Sequence, residues 1–482
     1  MLLGELCNGW ISVPAEYGEL EIVQIECDSR EATAGSLFIA VPGEATDGLL
    51  YAAEAVSRGA LAVIAPQGAA EGNDLGVPIL EVEDVRDIMG KIADRFYGHP
   101  SKKLEIVGVT GTKGKTTTVW LLDQLFSATG SLTGFCSTVE NRIGEDSYPA
   151  KNTTAGCLDL HRFLAEVVER GGERAVIEVS SHALEQRRTA SIHFDCAVFT
   201  NLAPEHLDYH EDMESYLNAK MKLFTCLDSH ACAVLPRAQE ASQKLASNTR
   251  AEISWYGCGA EDGVTDLRVI DEGIEFTWRD CKVRAGFWGD HNLENLLAVL
   301  HAGECMGLRP SEMAAVVSEA RLPPGRLEKV NHPGSFKVVV DYAHTDGALE
   351  AVLAALRPVT SGRLITIFGC GGDRDTTKRP RMGKVAESGS DRIILTSDNP
   401  RSESPEKILS EIMAGIEQPE EVTREEDRRA AIGLGIRMAR EGDTVLIAGK
   451  GHEDYLEFSN RERIHFDDRE VAEEFLKEVC YA

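Results

Sequence analysis

Residues 104–109 form an apolar run that passes directly into the loop GVTGTKGKTTT at 108–118 and then into a helical pattern over 116–125. A strand that turns through glycines into a helix commits the chain around it to an α/β layer architecture. Gly111 and Gly114 let the backbone curl so that N–H groups converge on phosphate oxygens. The helix beginning near Thr116 adds its positive N-terminal end. The loop therefore predicts a nucleoside triphosphate held by Gly111, Thr112, Lys113, Gly114, Lys115, Thr116 and Thr117. Lys115 would reach the β- and γ-phosphates, and the Thr116 hydroxyl would face Mg²⁺. The strict glycine–lysine pattern fails by one place, because Val109 stands where its first glycine belongs. By itself the loop leaves a GTPase switch, a motor and a transporter ATPase open.

The 482 residues correspond to about three domains. In the first, apolar strands over 37–41 and 61–65 flank a helix over 49–57, and the breaker-rich stretch 98–103 ends it. In the second, further strands lie at 175–179 and 197–200, so the sheet is expected to be mostly parallel and doubly wound. Leu322-Pro323-Pro324-Gly325 marks another break. After it, strands over 337–340, 364–368, 392–395 and 444–447 alternate with helical stretches. The division is thus 1–100, 101–324 and 325–482, with all three domains α/β.

The net charge of −29 argues against a nucleic-acid or anionic-membrane partner, since both need a basic face. Twelve cysteines without a C-x-x-C pair read as free thiols in a reducing compartment, with no zinc knuckle. The start MLLGELCNGW has no basic segment or long apolar run, so no signal peptide is expected. No stretch approaches the ~20 apolar residues of a membrane span. A cytoplasmic location follows as an expectation.

After the loop come AVIEVSSH, with Glu178 at a strand's carboxyl end, FTNLAPEHLDYH with His206, and NAKMK with Lys220. Ligands of open α/β sheets bind at such strand ends. Together with CDSR at Cys27, NTT at Asn152, NLEN at Asn292, GRLE at Gly325, DYAHT at Asp341, GGDRDTTKRP at Gly371, DNPR at Asp398 and GKGHEDY at Gly449, these runs make the chain resemble the Mur ligases of peptidoglycan synthesis over nearly its whole length.

That resemblance implies a uridine-nucleotide-binding first domain, a P-loop ATPase-like central domain and a Rossmann-like last domain. It implies Mg²⁺ held by Thr116, Glu178, His206 and Lys220, the last as a carbamate made with CO₂. Lys115, Lys220, His206 and Glu178 would be the catalytic set. A carbamate turns a cation into an oxygen ligand suited to a hard metal. Asn292, Asn295, Arg326 and Asp341 would serve ATP. Ser29, Arg30, Gly43, Asp47 and Gly48 would hold the uridine. Asn152, Thr153, Thr154, Ser180, Gln186 and Arg188 would hold the muramoyl-dipeptide.

The implied reaction transfers phosphate from ATP to a D-glutamyl carboxylate, and an amine then attacks the acyl-phosphate. Two anions must meet, so cations are the central requirement. Arg374, Asp398, Asn399, Pro400, Arg401, Gly449 and Glu453 would bind the incoming amino acid. The DNPR run points to meso-diaminopimelate, whose distal carboxylate suits a planar arginine fork; a role for Arg401 in bracing the loop through acids such as Glu403 is the alternative. The implied partners are ATP, the UDP-muramoyl-dipeptide and diaminopimelate, with a monomer expected. Asp346-Gly347 and Leu456 depart from the family's usual Pro-Asp and Gln. A lysine-adding ligase or a folylpolyglutamate synthetase-like enzyme is the nearest alternative; residues 1–100 argue against the latter. A nucleotide-switched binding protein is the alternative of another class.

Overall fold

The computed structural model describes residues 1–43 and 46–481. Two compact units divide it: residues 1–257 with 297–309, and residues 258–296 with 310–482. The helix Asp290–Cys305 runs from the second into the first.

The first unit begins with a parallel four-stranded sheet in the order β1 (Gln24–Glu26), β2 (Ser36–Ile39), β3 (Ala62–Pro66), β4 (Ile79–Val82). The expected helix over 49–57 is α-helical in Ala52–Ser57 and opens as a tighter 3₁₀ turn, Gly48–Tyr51. The Asp47 carboxylate accepts from the Leu49 N–H at 3.0 Å, and Gly48 lies so close to Val41 that a Cβ would sit 2.7 Å from its backbone nitrogen.

The central sheet comprises β5 (Glu105–Thr110), β6 (Thr133–Cys136), β7 (Glu140–Ile143), β8 (Asp146–Pro149), β9 (Arg174–Glu178), β10 (Cys196–Phe199), β11 (Cys232–Pro236) and β12 (Glu252–Tyr256). Their spatial order is β12-β11-β10-β5-β9-β6-β7-β8. The ladder is parallel from β12 to β6, and β7 and β8 add an antiparallel hairpin. Strands covered on both faces read as unbroken apolar runs, as Ile106–Val109 and Ala175–Ile177 do. β7 is half-buried and β8 exposed, and both are largely polar, so no such run marks them.

The N-terminal sheet shares its core with the central region, since Cys157 and Leu158 pack among Leu37, Ile39, Ile64 and Ile92. Gly90, on the helix Val85–Phe96, faces Ala190, where an added Cβ would lie 2.5 Å from the alanine methyl and 2.8 Å from its carbonyl oxygen. Arg162 pairs with Glu26 at 2.8 Å across the same junction.

In the second unit β13 (Val264–Ile270), β14 (Gly273–Trp278) and β15 (Cys281–Ala285) form an antiparallel meander. A six-stranded sheet follows from β16 (Glu328–Lys329), β17 (Lys337–Asp341), β18 (Leu364–Phe368), β19 (Arg392–Leu395), β20 (Val422–Arg424) and β21 (Thr444–Ala448), in the order β16-β17-β21-β18-β19-β20, parallel except for β16. A hairpin of β22 (Tyr455–Glu457) and β23 (Arg463–His465) ends the strands.

One expectation needs correction. Cys232, opening β11, and Cys305, ending its helix, are disulfide-paired with Cα atoms 6.2 Å apart. Seventy-three residues separate them, so no local cysteine spacing announces the pair. Among the described residues no helix is long and apolar enough to cross a membrane.

Replacing Gly90 by valine should destabilise the first unit by about 1–3 kcal/mol, the usual cost of forcing extra methyls into a close contact. Thermal unfolding of the variant at unchanged activity per folded molecule would measure it; an unaltered melting temperature would refute the Gly90–Ala190 contact.

Candidate functional site

β5 lies between β9 and β10, so the carboxyl ends of three adjacent parallel strands bring the phosphate loop, Glu178 and the segment after Phe199 to one edge. Gly111 has φ +153°, and a Cβ there would lie 1.9 Å from Thr200 Oγ1. Gly114 sits at φ +85° and starts the helix Lys115–Ser127. Lys115 Nζ donates to the carbonyls of Gly111 (3.1 Å) and Thr112 (2.7 Å). Lys113 is exposed, with its backbone N–H on Asn201 Oδ1, while Thr117 is buried.

The Thr116 hydroxyl lies 3.1 Å from both carboxylate oxygens of Glu178. Thr138 donates its backbone N–H and hydroxyl to Glu178 Oε2 at 3.0 and 3.1 Å. Lys220 is 1% exposed on the helix Met213–Thr225, and its Nζ donates to the Gly111 carbonyl at 2.7 Å. Nζ also lies 4.2 Å from the Tyr216 ring centroid. Burial, reinforced by the Lys115 charge and opposed by Glu205, pulls its pKa down to about 6. His206 is exposed with φ +57°, its ring 5.0 Å from that of His182 and 6.2 Å from that of Tyr216. Tyr216 OH lies 3.3 Å from Thr112 Oγ1, so one tyrosine touches the phosphate loop, Lys220 and His206. His210 is buried, bonded to Ser181 at 2.9 Å and packed on the same tyrosine.

Among the described residues no group of three or more His, Cys, Asp or Glu side chains forms a metal cage. The adjoining Thr116 hydroxyl and Glu178 carboxylate are the hard oxygen donors that suit Mg²⁺, which takes one or two protein oxygens and completes its shell with phosphate and water.

Beside Glu178, Thr154 Oγ1 donates to the Glu178 carbonyl at 2.8 Å and accepts from the Ser180 N–H at 3.0 Å. Arg188 donates to the Thr154 carbonyl (2.9 Å) and grips Gln186 Oε1 (2.7 Å). The Thr153 hydroxyl lies 3.2 Å from that of Thr138. The structure thus gathers Thr153, Thr154, Ser180, Gln186 and Arg188, while Asn152 is exposed. Arg86 ties this group to the N-terminal sheet by donating to the carbonyls of Gln186 (3.3 Å) and Pro42 (2.8 Å). Near that sheet's carboxyl edge Ser29 donates to Glu54 at 2.7 Å, Arg30 pairs with Asp28, and Gly43 N–H donates to the Thr46 carbonyl.

In the second unit Asn399 is a hub. Its Nδ2 donates to Glu453 Oε2 at 2.9 Å, and its Oδ1 accepts from the Glu457 N–H (2.9 Å) and Lys450 Nζ (3.2 Å). Asp398 accepts from the Asn399 N–H at 2.6 Å, and its other oxygen lies 2.7 Å from where a Gly449 Cβ would stand. Arg401, at φ +51°, donates to Glu457 Oε2 (2.9 Å) and the Gly372 carbonyl (2.8 Å). Its brace is therefore Glu457; Glu403 is held by the fully buried Arg379 at 2.9 Å. Pro400 is buried, its carbonyl so close that a Cβ on Gly372 would meet it, and Arg374 is exposed. In the same unit Asp341 takes the N–H groups of Leu327 and Ala343, both at 2.7 Å, and burial raises its pKa. Arg326 lies 4.9 Å from the Tyr342 ring, Asn292 donates to the Trp288 carbonyl at 2.9 Å, and Asn295 is buried. These four belong to the second unit and the phosphate loop to the first.

The Mur ligase catalytic domain matches residues 21–97, the Mur ligase middle domain residues 109–303 and the Mur ligase glutamate ligase domain residues 325–451. A relative from Solibacter usitatus, named UDP-N-acetylmuramoyl-L-alanyl-D-glutamate–2,6-diaminopimelate ligase, is 41% identical over 100% of this chain and 99% of its own. The chain belongs to the Mur ligase family. A relative of the same name from Geobacillus kaustophilus is 41% identical over 99% of both chains. A solved structure of a ligase of that name superposes with a TM-score of 0.75 at 32% identity, covering 99% of each chain. The site residues that sequence reasoning passed over in this Mur ligase are Thr138, Tyr216, Lys450 and Glu457. Each acts by holding a neighbour, which gives no spacing to read.

Lys220 supplies a pH test. An unfolded lysine titrates near 10.5 and the folded one near 6, so between those values the unfolded chain holds the extra proton and stability rises with pH. In CO₂-free buffer the unfolding free energy of wild type minus that of Lys220→Met should climb from pH 6 to 10. A flat difference would show that the amine is not desolvated.

Proposed function

We propose that the chain joins meso-diaminopimelate to UDP-N-acetylmuramoyl-L-alanyl-D-glutamate at the expense of ATP, as a cytoplasmic monomer divided into domains at 1–100, 101–324 and 325–482. The observation that carries the substrate choice is Arg401. Its backbone is held by the Glu457 carbonyl, and its Nε and Nη1 are fixed by Glu457 and Gly372. Among the described residues Nη2 has no hydrogen-bond partner, and a ligand carboxylate would bind there in this reading. Lysine has no distal carboxylate to satisfy a guanidinium so placed.

The chemistry follows from the groups present. Lys115 and the N–H groups of Gly111–Thr117 neutralise and orient the triphosphate. Thr154, Ser180, Gln186 and Arg188 position the dipeptide whose carboxylate receives the phosphoryl group. Thr116 and Glu178 would hold Mg²⁺, with His206 on the same edge; the ion would offset the charge of two approaching anions. Lys220, neutral at pH 7 by its depressed pKa, can add CO₂ with loss of a proton and so become an anionic oxygen ligand. By the family resemblance Asn292, Asn295, Arg326 and Asp341 would serve ATP. Asn399 and Glu453, with Arg374 and Asp398, orient the amino acid, whose amine displaces phosphate from the acyl-phosphate.

Lys220→Ala should be inactive and should regain part of its turnover with added short carboxylic acids, which restore the missing oxygens. No recovery, together with an unmodified lysine by intact mass, would remove the carbamate.

Arg401→Ala should lower kcat/KM for diaminopimelate by on the order of 10²-fold, the scale of a lost buried charge pair, and leave lysine use unchanged or improved. Equal loss with both amino acids would make Arg401 a brace alone, and a wild type preferring lysine would overturn the substrate choice.

A further inference from the structure

Both loops of the amino-acid pocket start from strand ends. β19 leads through Ser397 to Asp398–Arg401, and β21 ends at Ala448 and leads to Gly449–Glu453. β18 lies between these strands, so no ladder hydrogen bond ties their ends to each other. Asn399 joins the two loops to each other through Glu453 and Lys450, and Arg428 joins the strand ends beneath them. It opens the helix Arg428–Met438, is 2% exposed overall with its side chain fully buried, and donates from Nη1 to the Ser397 carbonyl (3.2 Å) and from Nη2 to the Ala448 carbonyl (3.1 Å). Asp468, the first residue of the helix Asp468–Tyr481 and 0% exposed, grips Nε and Nη2 at 2.7 Å each.

A buried ion pair is weak grounds for stability, because well-packed apolar residues often replace one without loss. What an apolar pair cannot do is hold two carbonyls at a fixed separation. The guanidinium does this with a rigid planar fork, and a lysine lacks the fork. The two carbonyls belong to the residues immediately before Asp398 and Gly449, so any shift in them carries Asn399, Arg401 and Glu453 along.

We propose that Arg428, anchored by Asp468, is a positioning residue of the amino-acid pocket, setting the separation of the strand ends that carry its two loops and thereby the affinity for the incoming amino acid. This rests on the reading that those loops bind it.

The test is steady-state kinetics of the full-length enzyme with each of its three substrates varied in turn. In Arg428→Lys the KM for the amino acid should rise on the order of 10-fold or more, within the range a displacement of about 1 Å produces. The KM values for ATP and the UDP-muramoyl-dipeptide should stay within about twofold in the same variant, since the hydrogen bonds of Arg428 go to Ser397, Ala448 and Asp468, none of which is placed at those substrates. The double variant Arg428→Met with Asp468→Leu removes both charges, should fold where the single variant fails, and should show the same selective rise. A parallel rise in all three KM values, or a fall in melting temperature with every KM unchanged, would overturn the proposal; so would a wild-type amino-acid KM in the double variant. Wild type is assayed with meso-diaminopimelate and with lysine. Should lysine be the one used, the diaminopimelate reading fails while the Arg428 comparison is read on lysine.

Discussion

Two lysine ammonium groups converge on one carbonyl. Lys115 and Lys220 both donate to the oxygen of Gly111, a residue whose own conformation leaves no room for a side chain. This meeting fixes the curl of the phosphate loop from two helices at once. Burial is the main reason that Lys220 is so readily neutral, and the neighbouring Lys115 charge adds to it. The net charge of −29 does not oppose such a site, because the local field is set by the lysines and the helix end.

The same geometric logic appears twice. In each unit a mostly parallel sheet collects polar side chains at the carboxyl ends of its strands: Glu178 after β9 and the loop after β5 in one, Asp341 on β17 and Asp398 after β19 in the other. Parallel strands bury both faces in apolar contacts, so their ends are where polar groups escape the core and still keep a rigid base. The first site holds a phosphate-binding cradle, and the second a carboxylate-and-amide network around Asn399.

Much of this was legible because the signals are local. The strands around the phosphate loop are unbroken apolar runs, and the loop itself is a glycine pattern with a helix behind it. Glu178, Asp398 and Arg401 were findable as charged residues directly after such runs. What escaped was non-local or weakly patterned. The meander β13–β15 alternates only in part, with Asp266, Leu267, Arg268 and Val269 exposed in succession. The 3₁₀ opening of Gly48–Tyr51 depends on a close approach to Val41 that no propensity encodes. Thr138 reaches Glu178 across 40 residues and Glu457 reaches Arg401 across 56, and neither carries a spacing to detect. The pairing of Cys232 with Cys305 is of the same kind.

The departures at Asp346-Gly347 and Leu456 show how such a site tolerates change. Asp346 and Gly347 open the helix Asp346–Leu356, where the Thr345 hydroxyl accepts from the Ala348 N–H and Asp346 pairs with Arg381 at 3.2 Å. The first turn of a helix favours an acidic residue and needs no intrahelical N–H partner, so Asp-Gly serves there as Pro-Asp would. Leu456 is buried on β22, between Tyr455 and the Glu457 that braces Arg401. A strand's neighbours point to its opposite face, so an apolar residue at 456 can sit against the core without disturbing the acid beside it. Asp346 thus keeps an acid in the first turn of its helix, and Leu456 leaves the Glu457–Arg401 pair in place.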